Sequence, residues 1–195
     1  MDRGQISLRE KDRKFIWHPF TQHKIWEKED FPVIVRGKGV YLYDENGRKY
    51  IDGVSSLWVN AHGHNHPLLN QAIRKQLAKI AHSTFLGLSH PPAILLAEKL
   101  VKLAPEGLTR VFYAENGASA VEIALKMAFQ FWQQVGEKKR KKFLSFGLAY
   151  HGDTVGAMSL GQIELFTRTY QPILFKTIVS QSPYCYRCPE GRKTC

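Results

Sequence analysis

Two loops concentrate the groups that could do chemistry. In ENGAS, residues 115–119, Gly117 can turn sharply ahead of an amphipathic stretch, so backbone N–H groups converge at the positive end of a helix. A phosphate fits such a turn, and a plain strand-to-helix connection is the bland alternative. Ser119 and Glu122 have the S-x-x-E spacing of a capping box, which predicts a helix starting near Ser119 with Val121, Ala124, Leu125, Ala128 and Trp132 on one apolar face. In FGLAYHGDT, residues 146–154, a ring, an imidazole and a carboxylate follow another predicted strand. Tyr150 can stack on a flat ligand, His151 can shuttle protons or hold a turn, and Asp153 can hydrogen-bond a substrate or a neighbouring loop. A Tyr-His pair alone is more often a packed turn than a catalytic pair. An anion site beside a stacking ring points instead to a planar phosphorylated cofactor.

Two further clusters invite a metal reading, and neither earns one. His62, His64 and His66 in HGHNHP alternate along an extended segment, but no carboxylate or thiol accompanies the run, and Gly63 and Pro67 indicate a turn held by backbone bonds. They are read as structural histidines. Cys185, Cys188 and Cys195 have spacings that suit zinc, but a fourth ligand is missing, so no metal site is expected.

The elements that must position these groups follow from periodicity. Residues 33–51 read as three short strands broken at Gly37–Gly39 and at the D-E-N-G turn of Asp44–Gly47, an antiparallel meander. Leu69, Ala72, Ile73, Leu77 and Ile80 lie at helical spacing behind Pro67 at a first helical position. A second helix over 89–103 carries Ile94, Leu95, Ala97, Leu100 and Val101, and both stripes read as core faces. From Val111 the rhythm becomes strand (VFYA), glycine loop, helix, strand (KFLSF), loop, which predicts a parallel α/β sheet with ligands at the carboxyl ends of its strands. A boundary near residue 65 separates residues 1–65, an arm and meander, from residues 66–195, the α/β part.

Composition sets the limits. The chain has 195 residues, 44% hydrophobic and 23% charged, which is the balance of a soluble globular protein. No stretch approaches the ~18 apolar residues of a membrane span, and the charged start lacks the apolar core of a signal peptide, so a cytoplasmic protein without a membrane partner is expected. The formal charge of +11 attracts anions. Its densest run, EKKRKK at 137–142, reads as a solvated turn, and no nucleic-acid motif accompanies it.

WHPFTQH at 17–23, YLYDENGRKYIDGVSSLWVNAHGHNHP at 41–67, ENGASAVEIALKMA at 115–128 and AYHGDTVGAMS at 149–159 occur in this order in class III aminotransferases. The chain resembles that family from about residue 15 to about residue 185, and most closely its biotin-biosynthetic branch. The resemblance implies a fold type I, pyridoxal-phosphate-dependent enzyme. It places Gly117 and Ala118 at the cofactor phosphate, Tyr150 on the pyridine ring, and Phe20, Leu57, Trp58, Tyr150 and Asp153 along the substrate pocket. Ala118 stands where the family has Ser or Thr, Phe20 where many of the branch have tyrosine, and Leu57 where many have a first tryptophan. These changes leave open whether S-adenosylmethionine or lysine is the amino donor. The resemblance also implies small-molecule substrates and a homodimer. It places the lysine and the carboxylate that the chemistry requires in later polypeptide, so this chain is expected to be an inactive amino-terminal portion with residues 1–65 belonging to the small domain.

Overall fold

The computed structural model describes residues 6–188 and 190–193, and the chain divides after His90 into two compact units. In the first, helix α1 (Leu8–Phe15) begins with a true capping box: Ser7 Oγ accepts from the N–H of Glu10 at 3.2 Å, and Glu10 Oε2 accepts from the N–H of Ser7 at 2.7 Å. Arg9 then ties α1 to Asp30 and, at 2.9 Å, to Glu45. Trp26 stacks on Phe31 at 4.0 Å, and His18 bonds Asp12 at 2.9 Å, which fixes the WHPF segment.

The meander forms as the turn residues require. Strands β1 (Ile34–Lys38), β2 (Tyr41–Asp44) and β3 (Lys49–Ile51) pair antiparallel in the order β1-β2-β3, with Lys38 opposite Tyr41 and Leu42 opposite Tyr50. Gly39 and Gly47 turn the chain at φ of +57° and +78°. Asp44, only 1% exposed, closes the second turn. Its carboxylate accepts from the N–H of Asn46 and Arg48 at 2.9 and 2.8 Å and from the Tyr50 phenol at 2.9 Å. Burial pushes this carboxyl up, but the hydrogen bonds from Tyr50, Arg48 and Asn46 outweigh it, and the pKa settles below the ordinary value.

Helix α2 (Pro67–Leu77) starts at Pro67, and helix α3 (Pro91–Leu103), which opens the second unit, stops before Pro105. Both helices form where periodicity put them, but their apolar stripes are not core faces: Ile73 is 58% and Leu95 56% exposed. Among the described residues, the buried apolar side chains are Phe31, Ala93, Ala157 and Met158. Amphipathic spacing says which face is apolar and not what covers it.

The second unit is built on helix α4 (Gly117–Gln134) and a parallel pair, β4 (Leu144–Phe146) with β5 (Ile178–Ser180), Leu144 facing Ile178 and Phe146 facing Ser180. Helix α5 (Val155–Leu160) packs against α4 and β4 with Gly156, Ala157, Met158 and Ser159 buried. The expected strand VFYA at 111–114 does not form. A strand exists through its ladder partner, and no described residue pairs with this segment. No helix among the described residues is long and apolar enough to cross a membrane.

Candidate active site

Asn116 starts the helix that sequence spacing assigned to Ser119. It sits in extended backbone, φ −155° and ψ 172°, and its side-chain oxygen accepts from the N–H of Ser119 at 2.9 Å. The helix therefore begins two residues earlier than predicted, and the Ser119–Glu122 capping box does not exist. Ser119 instead donates its hydroxyl to Glu115 at 2.5 Å. Asparagine and serine cap about equally well, and here Asn116 makes the capping bond while the Ser119 hydroxyl is taken by Glu115. The N–H groups of Gly117 and Ala118, at the first two positions, have no intrahelical acceptor. A Cβ added to Gly117 would meet nothing within 4 Å, so this helix end opens onto free space of the kind a phosphate needs.

The second loop is laid directly against it. A Cβ on Gly152 would fall 2.5 Å from Cβ of Ala118, and the residue's φ of +124° suits glycine alone. Two residues earlier, Tyr150 is 46% exposed, packs edge-on to Phe166 at 5.9 Å and donates its phenol to Asp153 Oδ2 at 2.6 Å. That bond to a carboxylate pushes the phenol's pKa up, with burial adding to it. The cavity under this loop, bounded by Tyr150, Gly152, Asp153, Met158 and Phe166, is only about 10 Å³, so a ligand has to lie on the outer face of the ring. His151 is half-buried.

Glu122 is the residue that spacing misassigned. Its carboxylate leaves its own helix and accepts from the N–H of Gly156 at 2.8 Å and of Ala157 at 3.3 Å. The Thr154 hydroxyl, foremost, and these two N–H groups hold its pKa below the ordinary value against the upward push of burial. The S-x-x-E pattern hid this, because the same glutamate satisfies a local rule on paper and a distant one in space.

In the first unit the three substrate-side candidates share an unusual backbone. Phe20 has φ +50°, and Ser55, Ser56, Leu57 and Trp58 have +50°, +47°, +63° and +71°. The last four form a left-handed turn, with the Trp58 N–H donating to Val54 O at 2.9 Å and the Val59 N–H to Ser55 O at 3.2 Å. Each L-residue in that region costs roughly 1–2 kcal/mol, and such strain collects at functional sites. Asp52 holds the turn, accepting from the N–H and the hydroxyl of Ser56 at 2.8 Å each, with the His64 ring nitrogen at 2.8 Å. The Ser56 bonds come first and the His64 bond after them in holding the Asp52 carboxyl below its usual range, while burial opposes. The turn presents Leu57 and Trp58 outward, 66% and 76% exposed, and Phe20 is 84% exposed. Sequence reading missed Asp52, although an aspartate three residues ahead of paired serines is a local signal for it.

His64 exchanges backbone bonds with Gly39 at 2.8 and 3.0 Å, and its ring meets Asp52, a carboxylate from outside the histidine run. Cys185 is exposed and Cys188 half-buried, and Cys195 lies outside the described residues. Among the described residues, no group of three or more His, Cys, Asp or Glu could hold a metal ion. A larger cavity of about 370 Å³ lies between the far end of α4 and the basic run 139–142, where the Arg140 guanidinium sits 4.0 Å over Trp132. It is removed from the loops at Gly117 and Tyr150, and the basic run is the turn that the sequence indicated.

The aminotransferase class-III family matches residues 24–192. An adenosylmethionine-8-amino-7-oxononanoate aminotransferase of Aquifex aeolicus is 58% identical over 184 residues, 94% of this chain and 40% of that protein. The crystal structure of the enzyme of that name from Methanocaldococcus jannaschii superposes with a TM-score of 0.87 at 50% identity, over 93% of this chain and 41% of that one. An omega transaminase from Pseudomonas jessenii in complex with PMP gives a TM-score of 0.86 at 32% identity, over 94% of this chain and 41% of that one. The chain thus spans about two fifths of the length of the relatives it matches, and its α/β fold is theirs.

Proposed function

This chain belongs to the class-III aminotransferases, and on that premise we propose that it supplies the cofactor cradle and substrate walls of an enzyme that aminates 8-amino-7-oxononanoate to 7,8-diaminononanoate. The observation that carries the reading is the seating of the Tyr150 loop against the open start of α4 through Gly152 and Ala118. Those residues fit pyridoxal phosphate, the family's cofactor. Gly117 and Ala118 would hold its phosphate through backbone N–H groups, and the half-exposed ring of Tyr150 would cover one face of the pyridine. When bound, the cofactor supplies an electron sink for moving an amino group.

The chain's own residues bind and orient. Asp153 fixes the Tyr150 ring and keeps its proton on the phenol. Asp52 and His64 brace the left-handed turn that presents Leu57 and Trp58, and these residues with Phe20 would wall the substrate pocket. The lysine amine and ring-nitrogen carboxylate that the reaction also needs are placed, in this reading, in polypeptide beyond these 195 residues. Residues 1–65 then belong to the smaller domain and 66–195 open the large one. A homodimer in the cytoplasm, acting on small molecules, completes the proposal.

The identity of 50–58% to enzymes named for 8-amino-7-oxononanoate, against 32% to the omega transaminase, favours this substrate over another ω-amino compound. The relatives are named for adenosylmethionine, which favours it as the donor. Leu57 and Phe20 make lysine its competitor. The test is an assay of these residues together with the polypeptide that completes them, offering 8-amino-7-oxononanoate with each donor in turn; product with neither would overturn the reading.

A further inference from the structure

We propose that Glu122 is a positioning residue for the cofactor site, clamping the loop that carries Tyr150 onto the helix whose first turn holds the phosphate. The inference rests on reading Gly117, Ala118 and Tyr150 as that site. Glu122 lies in the second turn of α4, but its carboxylate accepts from another element: Gly156 N–H at 2.8 Å and Ala157 N–H at 3.3 Å. Gly156 and Ala157 occupy the first turn of α5, where N–H groups have no intrahelical acceptor. Thr154, the N-cap residue of α5, makes no capping bond with its own side chain, and Gly156 and Ala157 are buried away from water. The carboxylate is therefore the cap of a helix to which it does not belong.

Two glycines show how close the fit is. Gly152 accommodates Ala118, and a Cβ on Gly156 would land on the Glu122 carboxylate. Positions 118 and 122 are one turn apart on the same face of α4, and 152 and 156 are likewise four residues apart. The segment 152–156 is thus seated on one face of α4 at two points. Tyr150 is two residues from the first point. With the second point removed, the loop pivots on Gly152, and the stacking ring loses its fixed separation from the phosphate-binding N–H groups. A ligand with a ring and a phosphate needs both at once, whereas free phosphate needs only the helix end.

The test uses E122A and E122Q in this 195-residue chain, with two readouts. Amide hydrogen exchange, without any ligand, should quicken in E122A at Gly156 and Ala157 and also through residues 150–154. Pyridoxal phosphate affinity should fall about tenfold, the order of one lost charge-assisted hydrogen bond, and the circular dichroism of the bound ring should change. Inorganic phosphate affinity should stay within about twofold. E122Q keeps a neutral acceptor oxygen and should lose about threefold for pyridoxal phosphate alone; it decides the question if E122A does not fold. Unchanged exchange at 150–154 would overturn the proposal, as would an equal loss of phosphate and pyridoxal phosphate affinity in both variants. If exchange quickens while the parent chain takes up no pyridoxal phosphate, the clamp stands and the cofactor reading falls.

Discussion

The phenol of Tyr150 donates to Oδ2 of Asp153 at 2.6 Å, so the ring is oriented by a carboxylate three residues ahead of it in the same loop. Removing the hydroxyl keeps the stacking surface and frees only the orientation. Tyr150→Phe should bind pyridoxal phosphate within about threefold of the parent, whereas Tyr150→Ala should lose about 0.5–1.5 kcal/mol, roughly two- to twelvefold. A fluorescence titration reads both, and equal losses would mean that the ring is not a platform.

Ala118 leaves the phosphate cradle with backbone donors alone. Ala118→Ser adds a hydroxyl donor at the second helical position, and phosphate affinity should tighten by about 1 kcal/mol, roughly fivefold. Isothermal titration with inorganic phosphate and with pyridoxal phosphate should show the same gain, because the new bond is made to the group they share.

Asn116 separates capping from anion binding. Asn116→Ala should cost about 1 kcal/mol of stability, a lowering of Tm by roughly 2–4 °C. Asn116→Asp preserves the cap acceptor while placing a negative charge at the helix start. It should hold Tm and lower phosphate affinity about fivefold or more through like-charge repulsion. Thermal unfolding and phosphate titration on the same two variants distinguish the roles.

Acid should loosen the protein in a defined direction. Glu122 has its pKa lowered from 4.5 by Thr154 and the α5 backbone, and Asp52 from 3.8 by Ser56 and then His64. For Asp44, burial works upward but the Tyr50, Arg48 and Asn46 bonds leave it below 3.8. Groups with depressed folded pKa values stabilise above the ordinary carboxylate range and lose that contribution as pH falls through the folded values. Tm should be flat from pH 7 to about 5 and drop below about 4.5, and Glu122→Gln should shrink the drop. A profile that rises on acidification would contradict the hydrogen-bond assignments.

What could be read from residue types was what local chemistry decides. The meander follows from Gly39, Gly47 and the Asp44 turn, and the helices behind Pro67 and before Pro105 follow from apolar spacing and proline. Gly117 and Tyr150 stood out as candidates because a glycine before an amphipathic run and an aromatic after a strand have direct physical meanings, whereas Ala118 was suggested only by the family resemblance. The failures lie where one residue had two partners available. Glu122 fitted a capping box with Ser119 but bonds Gly156, thirty-four residues on, and VFYA has strand composition without a ladder partner among the described residues. Exposure of the α2 and α3 stripes was equally invisible, since spacing marks an apolar face and not its cover.

The turn from Ser55 to Trp58 winds in the mirror-image sense, with Asp52 beneath it. Its backbone angles are those that D-amino acids prefer, so handedness itself can be used as a probe. A semisynthetic chain with D-leucine at 57 keeps the composition of the pocket wall and inverts the stereocentre to suit its backbone. Chirality, which selects right-handed helices, is opposed here over four consecutive residues, and that segment carries two of the residues proposed to meet the substrate.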